Sequence, residues 1–121
     1  MEKKKTLVLG ASSNPDRYSN MAIHRLIAAG HPVVAVGNRQ GEAHGVIIHK
    51  TQVPEEDIHT ITLYLSPENQ KLYYDYILSL KPKRIIFNPG TYNPELIKKA
   101  EQNDIQCEVA CNLVLLSTGQ F

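Results

Sequence analysis

The stretch Leu7-Val8-Leu9-Gly10-Ala11-Ser12-Ser13-Asn14-Pro15 decides the fold of this chain. Three apolar residues run directly into a turn of small residues, and a helical pattern begins near Ser19. Such a corner suits phosphate, because glycine admits close backbone approach and a helix N-terminus carries unpaired N–H groups with a partial positive charge. The stretch therefore predicts a binding corner for a nucleotide-like molecule.

Size and charge restrict the partners of this chain. Its 121 residues are enough for one domain, and 42% hydrophobic with 21% charged residues is an ordinary globular balance. A net charge of +1 argues against a nucleic-acid partner, which usually requires a basic excess. No apolar run approaches the ~18 residues that span a bilayer, and the basic N-terminus lacks the apolar stretch of a signal peptide. We expect one cytoplasmic domain with no membrane partner and two reduced cysteines.

Apolar strands alternate with segments of helical spacing along the whole chain. The predicted strands are 6–10, 32–36, 60–65, 84–88 and 105–109, with a short extended segment at 46–48 and a loop at 37–45. The predicted helices begin after the N-cap residues Ser19 or Asn20, Ser66 and Asn93. This order predicts an α/β, Rossmann-like three-layer domain spanning 1–121, with a mostly parallel sheet of about five strands and helices on both faces.

The glycine pattern distinguishes the first turn from two common phosphate loops. A dinucleotide fingerprint requires Gly-x-Gly-x-x-Gly, of which only Gly10 is present, and the Walker pattern is absent. The acidic residue that would hold an adenosine ribose is also missing, and Asn38 and Arg39 occupy its region. An arginine there suits an additional ribose phosphate, which NADP carries at the 2′ position and coenzyme A at the 3′ position. The residues alone leave both ligands open.

Four segments together carry a family resemblance: Gly10-Ala11-Ser12-Ser13-Asn14-Pro15-x-Arg17-Tyr18-Ser19, Val34-Ala35-Val36-Gly37-Asn38-Arg39, Asn88-Pro89-Gly90-Thr91-Tyr92-Asn93-Pro94-Glu95 and Ala110-Cys111-Asn112-Leu113-Val114-Leu115. They resemble the small stand-alone CoA-binding proteins, which are similar to the CoA-binding domain of the succinyl-CoA synthetase alpha subunit. The resemblance implies a Rossmann-like fold that binds coenzyme A or an acyl-CoA without a known reaction. The synthetase's active-site histidine lies outside this module, so the resemblance does not imply ligase activity.

The same resemblance implies a set of binding residues. The diphosphate would be lined by Gly10, Ala11, Ser12, Ser13, Asn14, Pro15 and Arg17, with Tyr18 beside them. Gly37, Asn38 and Arg39 would meet the 3′-phosphate end of the adenosine. Ser66, with the segment Tyr64–Pro67, would border the adenine or pantetheine arm.

Catalytic and metal-binding residues do not emerge from the sequence. The five histidines lack zinc-ligand spacing, and no nucleophile has an identifiable base. The pattern favours a binding module acting as a carrier, sensor or subunit over an enzyme. The alternatives are a small NADP-dependent oxidoreductase or NAD(P)-binding protein, and an interaction domain with an empty site.

Two features near the C-terminus have competing interpretations. Cys111 is a buried or half-buried thiol, or it forms a mixed disulfide with the thiol of bound coenzyme A. The apolar segment 113–116 covers the sheet edge or packs against a second copy of the chain in a homodimer, and a partner protein is the further alternative.

Overall fold

The computed structural model describes residues 2–121, in which strands alternate with helices. The strands are β1 (Thr6–Leu9), β2 (Val33–Val36), β3 (Gly41–Ala43), β4 (Val46–His49), β5 (Thr60–Leu63), β6 (Arg84–Phe87) and β7 (Gln106–Val109). The helices are α1 (Tyr18–Ala28), α2 (Pro67–Gln70), α3 (Tyr74–Ser79), α4 (Pro94–Glu101) and α5 (Asn112–Ser117), with a 3₁₀ turn over Lys71–Tyr73 between α2 and α3. No helix within these residues is long and apolar enough to cross a membrane.

A single seven-stranded sheet joins these strands in the order β3-β4-β2-β1-β5-β6-β7. All neighbours are parallel except β3 and β4, which confirms a mostly parallel sheet. The expectation of about five strands is wrong, because residues 37–45 are not a plain loop and contain β3. His44 and Gly45 both have positive φ, 53° and 83°, which is the geometry of a two-residue hairpin turn between β3 and β4.

The strand order changes direction at β1, because the strands that follow it in sequence lie on both sides of it in the sheet. The chain first adds β2 and the hairpin on one side of β1, and then crosses to add β5, β6 and β7 on the other. Leu9, the last residue of β1, is therefore level with both Val36 and Leu63. Loops leaving neighbouring strands in opposite directions open a crevice at their carboxyl ends.

Alternate residues of the strands pack against two different layers of helices. Leu7 and Leu9 point to the layer of α3 and α4, where they join Ile77 and Leu96 in one core cluster. Val8 points to the opposite layer, where a second cluster includes residues of α1 and α5. The predicted three-layer α/β architecture is confirmed.

The helix starts agree with the predictions at two of three places. Ser66 and Asn93 are the N-cap residues of α2 and α4, and the Asn93 side chain accepts a hydrogen bond from the Leu96 amide at 3.3 Å. The prediction for α1 is wrong, because Arg17 holds the N-cap position without a side-chain bond. Ser19 and Asn20 are buried inside the first turn, and the Asn20 side chain forms tertiary hydrogen bonds there.

The C-terminal apolar segment forms helix α5 on one face of the sheet, beside α1. Leu115 and Leu116 pack against the core cluster of that face. The expectation that the segment covers the sheet edge is therefore wrong, because β7 is the edge strand and its Val109 is exposed.

Candidate functional site

Two adjoining cavities lie at the carboxyl ends of the parallel strands. Their volumes are about 490 and 370 Å³. Both are lined by Ala11, Ser12, Arg17 and Asn38, so they form one elongated cleft that crosses the loop after β1. Loops following β2, β5 and β6 complete its walls, which places it at the crevice expected from the strand order.

The structure brings most of the sequence-predicted residues to this cleft. Those that line it are Gly10, Ala11, Ser12, Ser13, Asn14, Arg17, Tyr18, Asn38, Arg39 and Ser66. Two others lie elsewhere. Pro15 borders a separate depression with Met21 and His24, and Gly37 is buried beneath the loop after β1.

Two glycines allow the loop after β1 to pack against neighbouring strand ends. Gly10 has a φ of +94°, and a Cβ at this position would lie 2.8 Å from the carbonyl carbon of Tyr64. A Cβ at Gly37 would overlap the carbonyl oxygen of Ala11. Both positions therefore require glycine because the backbone packs closely against the protein itself. The sequence suggested instead that Gly10 allows close approach to a ligand.

The loop after β1 uses part of its hydrogen-bonding capacity on the protein itself. The amides of Gly10 and Ala11 both donate to the Val36 carbonyl, at 2.9 and 3.0 Å. Their N–H groups are therefore occupied within the protein, although both residues line the cleft. Within residues 2–121, no protein group accepts a hydrogen bond from the amides of Ser12 and Ser13.

A buried asparagine on α1 braces this loop against the β3–β4 hairpin. The Asn20 side-chain amide donates to the Ser12 carbonyl at 3.0 Å. Its Oδ1 then faces His44 Nε2 at 2.7 Å, so the hydrogen bond requires the His44 tautomer with a proton on Nε2. Sequence reasoning missed this brace, although the His44-Gly45 pair is a turn signal of the hairpin that carries it.

The opposite wall of the cleft is held by a second buried asparagine, at the end of β6. Asn88 donates to Thr62 Oγ1 at 2.7 Å and to the Leu63 carbonyl at 2.8 Å. Its Oδ1 accepts from the Asn112 amide at 2.8 Å, and the Thr91 hydroxyl donates to its carbonyl at 2.7 Å. These bonds fix the start of the loop that lines the cleft.

Tyr64 and Leu65, from the segment predicted to border the ligand, also line the cleft. Further lining residues were not in the predicted set: Ser19, Asn69, Pro89, Gly90 and Thr91. Most of these residues follow the carboxyl ends of β5 and β6, the edge at which a ligand of a parallel sheet is expected. Burial raises the pKa of Tyr64 well above its usual value, so its ring remains neutral and adds an apolar surface to the wall.

Electrostatics favour an anionic ligand in this cleft. Arg17 and Arg39 are both exposed and line it. In the part of the chain that the structure describes, neither forms a salt bridge, and no carboxylate lines the cleft. The first turn of α1 also borders it, and helix N-termini attract negative charge.

The two cysteines lie outside the lining of the cleft. Cys111 is a half-buried residue at the N-cap of α5, and Cys107 is half-buried on β7. Burial, with a smaller effect of Glu101, raises the pKa of Cys107 to about 11. The mixed disulfide at Cys111 stays a prediction. Among residues 2–121, no cluster of three or more His, Cys, Asp or Glu could hold a metal ion.

Comparison with known families identifies the domain. The family model described as a CoA binding domain matches residues 4–117. The chain belongs to this family. Membership in the CoA-binding domain family agrees with the cleft geometry and with the resemblance seen in the four sequence segments.

Solved structures show how widely this CoA-binding domain fold occurs. An uncharacterized protein shares 46% identity with a TM-score of 0.97, and each chain covers 100% of the other. A hypothetical protein from Pyrococcus horikoshii OT3 shares 26% identity with a TM-score of 0.85, over 96% of this chain and 83% of that one.

A larger enzyme contains the same fold as a part. The dinucleotide-forming acetyl-coenzyme A synthetase 1 of Ca. Korarchaeum cryptofilum, in complex with phosphate and ADP, shares 14% identity with a TM-score of 0.73. The match covers 90% of this chain and 26% of the synthetase, and at this identity it shows the fold alone. None of the curated proteins compared matches this chain.

Proposed function

We propose that this CoA-binding domain holds coenzyme A or an acyl-CoA in the cleft and acts as a non-catalytic carrier, sensor or subunit. The observation that carries the proposal is the cleft itself, which is elongated and lined by two arginines. Among residues 2–121, these arginines form no salt bridge and no carboxylate lines the cleft. Coenzyme A is a long molecule with a phosphate group at one end and a diphosphate near its middle, so its shape and charge match.

The distribution of charge suggests the direction of the ligand. Arg39 lines only the smaller cavity and would meet the 3′-phosphate there. The diphosphate would take the amides of Ser12 and Ser13, with Arg17 and the positive end of α1 nearby. The pantetheine arm would follow the larger cavity, whose far end is lined by uncharged residues of α2 and of the loops after β5 and β6: Leu65, Ser66, Asn69, Pro89, Gly90 and Thr91.

The hydroxyl groups of the cleft support a holding role over chemistry. The Thr91 hydroxyl donates to the Asn88 carbonyl, and Ser12 Oγ accepts from the Asn14 amide at 3.1 Å. His44, which is linked to the loop after β1 through Asn20, already uses its Nε2 in that hydrogen bond. These groups serve the geometry of the loops, and none is paired as a nucleophile with a base.

Calorimetric titration tests the proposal with coenzyme A, acetyl-CoA, dephospho-CoA, NADPH and NADH. We expect coenzyme A to bind and dephospho-CoA to bind about tenfold more weakly, because the second ligand lacks the phosphate that Arg39 would meet. A preference for NADPH would instead favour the oxidoreductase. Failure of every ligand to bind would contradict the proposal and leave an interaction domain.

A denaturation experiment gives an independent readout of the same binding. A ligand present at about 100 times its dissociation constant should add about 2.7 kcal/mol to the free energy of unfolding. Mass spectrometry of any nucleotide that copurifies with the protein would then identify the acyl group.

A further inference from the structure

A buried glutamine lies behind the uncharged end of the cleft. Gln70, the last residue of α2, is 0% exposed and does not line the cleft. Its Nε2 donates to the Leu65 carbonyl at 2.8 Å and to the Thr91 carbonyl at 2.8 Å, and its Oε1 accepts from Asn93 Nδ2 at 2.9 Å. Both of its N–H donors and its acceptor oxygen are therefore in use.

The two carbonyl groups that Gln70 holds belong to two different loops, which follow neighbouring strands of the sheet. Leu65 is in the loop after β5, Thr91 is in the loop after β6, and both residues line the larger cavity. The glutamine thus links two adjacent segments of the wall that faces the loop after β1. Since the Thr91 bond is buried, its loss would leave a carbonyl group without a partner and favour movement of the wall.

Neighbouring residues make this link rigid. Asn93 also donates to the Tyr74 hydroxyl at 2.8 Å, and its Oδ1 caps α4. Asn88 fixes the other end of the loop that contains Thr91. The position of Gln70 is therefore tied to two helices and to β6, while the carbonyl groups it holds form part of a binding surface.

We propose that Gln70 is a positioning residue that fixes the shape of the wall at the uncharged end of the cleft and so determines the affinity for the pantetheine arm of the ligand. This inference rests on the proposed function. Gln70 acts through Leu65 and Thr91 and does not contact the ligand. The Arg39 end of the cleft, on the far side of the loop after β1, is independent of this link.

The test compares Gln70→Met with the wild type by calorimetric titration of coenzyme A and of adenosine 3′,5′-bisphosphate, which lacks pantetheine. Methionine has nearly the size of glutamine but removes all three hydrogen bonds. We expect the affinity for coenzyme A to fall about tenfold and that for the bisphosphate to change less than about twofold. Ile105→Val is the matched control, because Ile105 is a buried core residue away from the cleft, and both affinities should stay unchanged.

The outcomes separate this inference from the proposed function. A wild type that does not bind coenzyme A overturns the proposed function and this inference with it. Suppose that the wild type binds coenzyme A and that the Gln70→Met variant folds. The inference alone is then overturned if the variant loses affinity equally for coenzyme A and the bisphosphate, or for neither. A purely structural role of Gln70 would not discriminate between these two ligands. If Gln70→Met does not fold, Asn93→Ser replaces it. Serine still caps α4 but gives up the bond to Gln70, and a smaller loss confined to coenzyme A is expected.

Discussion

Arg39 lies at one end of the cleft, exposed and without a salt bridge within residues 2–121. A guanidinium group presents several N–H donors in a planar fork that fits two phosphate oxygens at once. Because no carboxylate competes for it, Arg39 is available to a ligand. Arg17 has the same freedom beside the middle of the cleft, where a diphosphate would lie.

Arg39→Ala should weaken coenzyme A binding by about tenfold and leave dephospho-CoA binding nearly unchanged, because only the first ligand carries the 3′-phosphate. Titration of both ligands against both proteins measures this coupling directly. Arg25→Ala is the matched control, since Arg25 is an exposed arginine of α1 that borders a different depression. An equal loss for both ligands would show that Arg39 does not contact this phosphate.

The elements around the loop after β1 support it from three sides. The Val36 carbonyl at the end of β2 accepts hydrogen bonds from the first two amides of the loop, and the backbone after β5 packs against Gly10. The β3–β4 hairpin is linked to the loop through the hydrogen bonds of His44 and Asn20. The conformation of this loop is therefore determined by its neighbours. A loop that is already ordered loses less conformational entropy when a ligand binds.

Asn20→Ala should lower the free energy of unfolding by about 1–3 kcal/mol, because it removes two part-buried hydrogen bonds that each contribute about 0.5–1.5 kcal/mol. Urea unfolding measures this change, and calorimetry should show weaker binding of coenzyme A by the folded variant. The control is Asn103→Ala, because Asn103 is exposed and its side chain bonds only to the Lys99 carbonyl. Equal stability losses in the two variants would contradict the bracing role of Asn20.

At the scale of the whole molecule, His31 and His59 make the free energy of unfolding depend on pH, because the fold lowers the pKa of both side chains. His31 is 4% exposed, its Nδ1 accepts a hydrogen bond from the Lys4 amide at 3.0 Å, and its ring packs on Phe121. Burial, followed by Lys4 and Arg84, lowers the pKa of His31 from 6.5. Burial and then Arg84 are also the largest causes that lower the pKa of His59.

The unfolded chain therefore takes up protons at these histidines at a higher pH than the folded protein does. The stability they contribute is fully present above pH 6.5, the unfolded value, and is lost as the pH falls toward the lowered pKa of the folded state. We expect the urea midpoint to fall between about pH 7.5 and pH 5, and His31→Asn, which keeps an acceptor for Lys4, to reduce this slope. A variant with the wild-type slope would rule out His31 as a source of the pH dependence.

Much of the candidate site follows from local patterns. The sequence alone shows where strands end and where small residues and arginines follow them. The segments around Ser12, Arg39 and Ser66 do meet in one cleft. The hydrogen bonds of Asn20, Gln70 and Asn88 could not be predicted, because their partners are distant in sequence and come together only in the folded sheet. The same holds for Gly37, whose contact is with Ala11.

The amino-acid sequence by itself determined the α/β alternation, the parallel sheet and the edge at which the cleft lies, because hydrophobic periodicity and the chirality of crossovers are local properties of the chain. Only the tertiary structure decided that the sheet has seven strands, that the amides of Gly10 and Ala11 belong to Val36, and which wall residues are held by Gln70. The physical reason is that a polar group has several acceptable partners in a sequence, and packing brings only one of them within hydrogen-bonding distance.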